Sequence, residues 1–301
     1  MGPIVPSPGH PKFGVAITTV GRWEPLRELL GDLAAQSYPP TSVAIAHHDA
    51  ADPDNGLTEL VQSFADVLTI RTVLSPRGIS NGRNAAAAAC TDDVDWLWFP
   101  NDNSRVDPDF LERVSAHCVE PTNVCAVQVV DWEGPRHPLP DPGAPLTRRT
   151  VWGAIEAATF YRRDIFFLAG GFNPSLGTGA DSPWQSGEGP DLLLRLSELT
   201  DIRIAWVGDI RVQAQTEFAH LPPSERRRKQ RSYGRGHGHV LRDWHYPFWY
   251  KAAHLAGAAL MPLRNPKKFG PREALALLIG RSEGLLGRTF SGESSNKAIL
   301  R

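Results

Sequence analysis

Hydrophobic and polar positions follow two rhythms along the first hundred residues. Phe13 to Val20 (FGVAITTV) is a continuous apolar run of strand length. Trp23 to Gln36 follows, with Leu26, Leu29, Leu30, Leu33 and Ala34 on one helical face. The pair of rhythms then repeats as strand over Val43 to His47, helix over Leu57 to Ala65, strand over Val67 to Val73, helix over Asn81 to Cys90 and strand over Val94 to Phe99. Strands that alternate with helices predict an α/β fold, a mostly parallel sheet flanked by helices in the Rossmann-like manner. Such sheets bind ligands at the carboxyl ends of their strands, where the strand order reverses. The loops after Val20, His47, Val73 and Phe99 are therefore the places for a site. Past about residue 120 the strands shorten, and Gly134 to Pro145 (GPRHPLPDPGAP) reads as a turn-rich excursion.

Composition narrows the class. A chain of 301 residues, 41% hydrophobic, has ample material for a core. Cys90, Cys118 and Cys125 are odd in number and widely spaced, which argues against a disulfide framework and fits a reducing compartment. Residues 1–11, rich in Pro and Gly, lack the apolar stretch of a signal peptide and read as a disordered tail.

The net charge of −1 hides a segregation. Met1 to Glu225 carries 16 Lys/Arg against 29 Asp/Glu, whereas Arg226 to Arg288 carries 14 against 3. The basic part opens with Arg226, Arg227, Arg228, Lys229 and Arg231, continues through a Gly-rich YGRGHG, and then brings Trp244, Tyr246, Phe248, Trp249 and Tyr250. From Ala274 to Gly287, Leu275, Leu278, Ile279, Leu285 and Leu286 recur at helical spacing. Two readings follow: a basic amphipathic helix at an anionic membrane surface, or a core-packing helix with a basic outer face. Ala252 to Leu263, the longest uncharged apolar stretch, has 12 residues, short of the roughly 20 that span a bilayer. Nucleic acid is not an expected partner, because the rest of the chain is acidic.

Two stretches carry candidate chemistry. In WLWFPNDNSRVDPD, Trp96 to Asp109, an apolar strand ends in Asn101, Asp102 and Asn103, oxygen ligands of the kind Mg²⁺ shares with phosphates. An Asn/Asp turn has the same composition. In GTGADSPWQSGEGPD, Gly177 to Asp191, a Gly-rich loop carries Trp184 and ends in Glu188 and Asp191 at the start of an apolar helix, Leu192 to Leu199. Acids there serve a helix dipole and cap, or supply a general base.

Taken in order, FGVAITTVGR, AAQSYPP, GISNGRNAAAAA, WFPNDN with DPDFL, EAATFYRRDIFFLAGGFNPSLGTG and SPWQSGEGPDLLLR resemble the family 2 glycosyltransferases over residues 12 to 200, and SYGRGHGHVLR resembles the tail of a subgroup. The resemblance implies a GT-A type domain over 12–222, with a nucleotide-sugar part at 12–120 and an acceptor part at 121–222, followed by a basic amphipathic helical segment at 223–301. It implies inverting transfer from a nucleoside-diphosphate sugar to a hydroxyl of a glycan or lipid-linked acceptor, in cell-envelope or polysaccharide synthesis. The expected location is cytoplasmic, peripheral on the inner face of the cell membrane.

By the same resemblance, Thr18, Thr19, Arg22, His47, His48, Asp49, Arg83, Asn84, Asn101 and Asp102 bind the nucleotide sugar. Asp102, Asn103 and His220 hold a weakly bound divalent cation, Mg²⁺ or Mn²⁺. Trp184 and Asp191 bind the acceptor, and Glu188 and Asp191 are catalytic, with Glu188 the first candidate for the base. The cations of His220 and the Arg226 to Arg231 run supplement the metal at the leaving diphosphate. Three positions depart from the family's pattern: His47 and His48 where acids are usual, Asn101 and Asn103 flanking the single Asp102, and Gly189 where a second acid is usual. These departures keep open a catalytically impaired protein that binds sugar nucleotide or glycan without turnover.

Overall fold

The computed structural model describes residues 11–48, 56–131, 134–214, 221–264, 266 and 269–290. The tail expected at 1–11 lies outside them except for its last residue. In chain order the elements are β1 (Phe13–Thr19), α1 (Trp23–Ala34), β2 (Ser42–His47), α2 (Gly56–Gln62), β3 (Ile70–Leu74), α3 (Ile79–Ala89), β4 (Trp96–Trp98), β5 (Ser104–Arg105), α4 (Phe110–Ser115), β6 (Val124–Asp131), β7 (Gly134–Pro135), β8 (Thr159–Arg162), α5 (Arg163–Leu168), α6 (Glu188–Leu199), β9 (Ile204–Ala214), α7 (Pro223–Asp243), α8 (Phe248–Ala259), α9 (Met261–Arg264) and α10 (Pro271–Leu286). They group into two compact units. One comprises the residues up to 76 with 81–171 and 192–215, and the other 77–80, 172–191 and 216–301.

The first unit is built on one sheet of order β3-β2-β1-β4-β8-β6-β9-β5, with β7 beside β6. The repeated strand–helix rhythm accounts for its parallel half: β3, β2, β1 and β4 all run the same way. Past β4 antiparallel neighbours enter, with β8 set between β4 and β6. β1 is an unbroken apolar run because both of its faces are covered, and Phe13, Val15, Ala16 and Ile17 are fully buried. Leu26, Leu29, Leu30 and Leu33 of α1 close over it, as their spacing predicts. Trp98 stacks on Phe160, ring centroids 5.3 Å apart, and donates its indole hydrogen to the Ala157 carbonyl. From β1 the chain adds β2 and β3 on one side and returns to add β4 on the other. The order therefore reverses between β1 and β4, where Thr18 and Asn101 form a bridge.

The second unit contains α7 to α10. Gly287 ends α10 in the left-handed conformation, φ 68°, which glycine adopts without steric cost. The helix buries a different face from the leucine stripe, however. Ala274, Leu277, Gly280, Glu283 and Gly284 are buried, while Leu275 and Leu286 are exposed. The reason is backbone proximity to α7. A Cβ added at Gly234 would lie 2.8 Å from the Leu277 carbonyl oxygen, and one at Gly280 or Gly284 would run into the carbonyls of Arg231 and Arg235.

Glu283, fully buried, accepts Arg231 Nε at 3.0 Å and Nη2 at 2.5 Å, and Arg235 Nε at 2.6 Å. Burial pushes this carboxyl up, but the two arginines outweigh burial and hold it down at about 2. Part of the basic run is thus turned inward. Arg231, expected among the cations for the leaving diphosphate, belongs to this buried cluster.

Candidate active site

At the reversal point of the sheet, the carboxyl ends of β1, β2 and β4 bring several expected residues together. Thr19 lies opposite His47 in register, and Thr18 bridges Asn101. Thr19 donates from Oγ1 to Asp102 Oδ2 at 2.8 Å. Arg22, just before α1, donates from Nε to the same oxygen at 3.2 Å and from Nη2 to Oδ1. Asp102 is only 2% exposed, whereas the Arg22 side chain is 37% exposed. Arg83, on α3, is 3% exposed and donates to Asn101 Oδ1 at 3.4 Å. α3 reaches this edge because residue 82 is glycine: a Cβ there would collide with the Thr18 hydroxyl. Asn84 instead packs against Gly171, whose φ is +75°. His48 follows β2 at the same strand end, and Asp49 lies outside the described residues.

A dication prefers several oxygen ligands with negative charge. Asp102 and Asn103 supply the right atom types, but Asp102 is the motif's single carboxylate and already holds Arg22. Among the described residues no group of three or more His, Cys, Asp and Glu converges as a metal site. His220 lies outside them. Asp102 and Asn103 are the residues that would hold a dication here, and it would compete with Arg22 for Asp102.

The second unit holds the Trp184 loop. Gln185, 4% exposed, organises it by accepting from the Gly179 amide at 2.8 Å and donating to the carbonyls of Ala180 and Ser182. Gly177 takes φ +96° and donates its amide hydrogen to the Trp184 carbonyl; the Glu188 carboxyl lies against it, 3.1 Å from where a Cβ would be. Glu188 begins α6 and is 7% exposed. Asp191, one turn on, accepts the indole hydrogen of Trp244 at 3.1 Å.

Trp184 stacks on His239, centroids 4.4 Å apart and planes 6° from parallel. His239 faces Asp243 at 2.9 Å, and burial lowers its pKa in spite of that carboxylate. Glu188, Asp191 and Trp184 therefore belong to one cluster. Trp244 and His239 are its unforeseen members. Their trace in the sequence is the segment SYGRGHGHVLR, which carries His239, and the aromatic run that opens with Trp244.

The family model described as glycosyl transferase family 2 matches residues 14–168, more than half of the 301 residues. This chain belongs to glycosyl transferase family 2. No protein of curated function matches its sequence. Among solved structures, this family 2 protein is similar to S. aureus TarS 1-349 in complex with UDP, with 15% identity, TM-score 0.56 and 93% of each chain covered. The same fragment in complex with UDP-GlcNAc matches with 15% identity, TM-score 0.55 and 93% of each chain. The mannosyltransferase PcManGT from Pyrobaculum calidifontis, in complex with GDP-Man and Mn²⁺, matches with 13% identity and TM-score 0.60, over 92% of this chain and 88% of that one. At such identities the likeness shows the GT-A fold. The family match stops at residue 168, so the Trp184 loop is assigned from this glycosyltransferase's own geometry.

Proposed function

We propose that the protein transfers a sugar from a nucleoside-diphosphate sugar to a hydroxyl of a glycan or lipid-linked acceptor, with inversion, in the synthesis of cell-envelope polysaccharide. The observation that carries the donor side is the convergence of Arg22, Arg83 and Asp102 with Thr18 and Thr19 where the sheet order reverses. Nucleoside diphosphates or their sugars bound to TarS and PcManGT support the ligand class.

Inversion needs a base that takes the acceptor proton while the hydroxyl oxygen attacks the anomeric carbon. The bond to the diphosphate breaks on the opposite side, and cations stabilise the departing anion. Glu188 is the base, and the second unit's Trp184 and Asp191 hold the acceptor. Asp191, fixed by the Trp244 indole, is suited to positioning. Arg22 and Arg83 face the diphosphate. A dication, when bound by Asp102 and Asn103, adds positive charge at the leaving group.

Thermal melting with a panel of nucleoside diphosphates tests the donor side, since a ligand of the folded state raises Tm. One nucleoside diphosphate raises the Tm of the wild type, and Arg83→Ala loses most of that rise. The donor site is misplaced if Arg83→Ala responds like the wild type.

A further inference from the structure

α8 is apolar along most of its length (FWYKAAHLAGAA), yet its single buried residue is Ala258. Its inner side is settled within the second unit. The Tyr250 ring packs on His254 with centroids 4.5 Å apart, and the His254 ring nitrogen meets His237 at 2.8 Å. The other side is exposed. Trp249, Ala253, Ala256, Leu260 and Leu263 recur at intervals of four, three, four and three residues, and every one is exposed.

Phe248 is 86% exposed, Trp249 69% and Leu263 80%. Leu260 donates its amide hydrogen to Ala256 and accepts from Leu263 and Arg264, so the helical course continues from α8 into α9 and the stripe is continuous. No helix among the described residues is long and apolar enough to cross a membrane. An exposed apolar stripe with aromatic residues at one end and Arg264 beside the other belongs instead to helices that lie in a membrane interface.

We infer that the α8–α9 face docks on an anionic lipid surface, with Phe248, Trp249, Leu260 and Leu263 entering the headgroup boundary. Charge selects this occupant. From Trp244 to Arg272 the sequence carries Lys251, Arg264, Lys267, Lys268 and Arg272 and no Asp or Glu, with Lys267 and Lys268 outside the described residues. Two copies meeting through such a face would bring like charges together, whereas anionic headgroups neutralise them. The inference does not depend on Glu188 or on any step of transfer.

The test is sedimentation of the full chain with phosphatidylcholine vesicles, with and without phosphatidylglycerol, at low and high salt. The wild type pellets with the anionic vesicles and is released by salt. Phe248→Ser with Leu263→Ser, both at exposed positions, keeps the wild-type melting temperature and nucleoside diphosphate affinity while its partitioning falls roughly a hundredfold or more, the scale of losing two apolar anchors. Lys251→Glu with Arg264→Glu loses the preference for anionic vesicles. Equal sedimentation with both vesicle types, sedimentation with neither, or undiminished sedimentation of the serine variant overturns the inference. A concentration-dependent dimer that the serine variant abolishes assigns the face to a second copy, and also overturns it.

Discussion

Arg22 and Asp102, 80 residues apart in sequence, form an ion pair in which the guanidinium engages both carboxylate oxygens. The charge of the only acid in the Asn-Asp-Asn motif is thereby cancelled by the chain's own cation. At the proposed donor site, Arg22→Ala removes one charged contact to a diphosphate and frees Asp102 for a metal. The expected outcome in calorimetry with EDTA is nucleoside diphosphate binding weakened by roughly 10- to 100-fold, the scale of a lost hydrogen bond between charged groups. With Mn²⁺ the deficit narrows. A deficit independent of Mn²⁺ contradicts the competition at Asp102.

Asn103→Asp places a second carboxylate in the same motif. A carboxylate attracts a dication more strongly than an amide carbonyl does, so Mn²⁺ binds the variant more tightly than the wild type in a direct titration. Unchanged Mn²⁺ affinity removes Asn103 from the metal site.

Glu283 ties α7 to α10 through Arg231 and Arg235. Glu283→Gln leaves those arginines without their anion and costs about 3 kcal/mol, the scale of breaking a buried pair. The carboxyl titrates at about 2 in the folded chain against an ordinary value of 4.5, so its contribution is fully present above 4.5 and is lost as pH falls toward 2. Thermal melts of the two proteins differ most between neutral pH and 5 and converge at lower pH. A difference that grows on acidification contradicts the ion-pair assignment.

Two glycine substitutions separate close packing from helix propensity. Gly280→Ala drives a methyl group into the Arg231 carbonyl and lowers Tm. Gly31→Ala, in α1 with nothing within 4 Å of the added carbon, raises stability by about 0.5–1 kcal/mol. Urea midpoints that move the same way for both contradict the glycine-stripe account.

The parallel half of the fold was legible because β1, β2 and β4 are apolar runs of strand length separated by helical spacings, and their carboxyl ends mark the edge of the candidate site directly. Asp102, Arg22 and Arg83 meet there as the strand order requires. The antiparallel insertion of β8 between β4 and β6 left no period to read, since Thr159–Arg162 is only four residues long. Leu275 and Leu286 left the covered face of α10 open, because helical spacing marks an apolar face without saying what covers it. The buried face of α10 is instead made by Gly280, Gly284 and Leu277. Glycines four apart in both helices, 234 with 238 and 280 with 284, were the signal for that packing. Trp244 and Asp191 are joined by a bond between residues 53 apart, which no local pattern announces.

The measurement that bears most directly on the proposed activity compares wild type with Glu188→Gln, following both donor affinity and release of nucleoside diphosphate in the presence of glycan and lipid-linked acceptors. Glutamine keeps the shape of the side chain and removes its basicity. The account predicts unchanged donor affinity and turnover lowered by roughly 10²-fold or more, the scale of a lost general base. Wild-type protein that binds the donor yet transfers to none of these acceptors, or Glu188→Gln that turns over as fast as wild type, contradicts it.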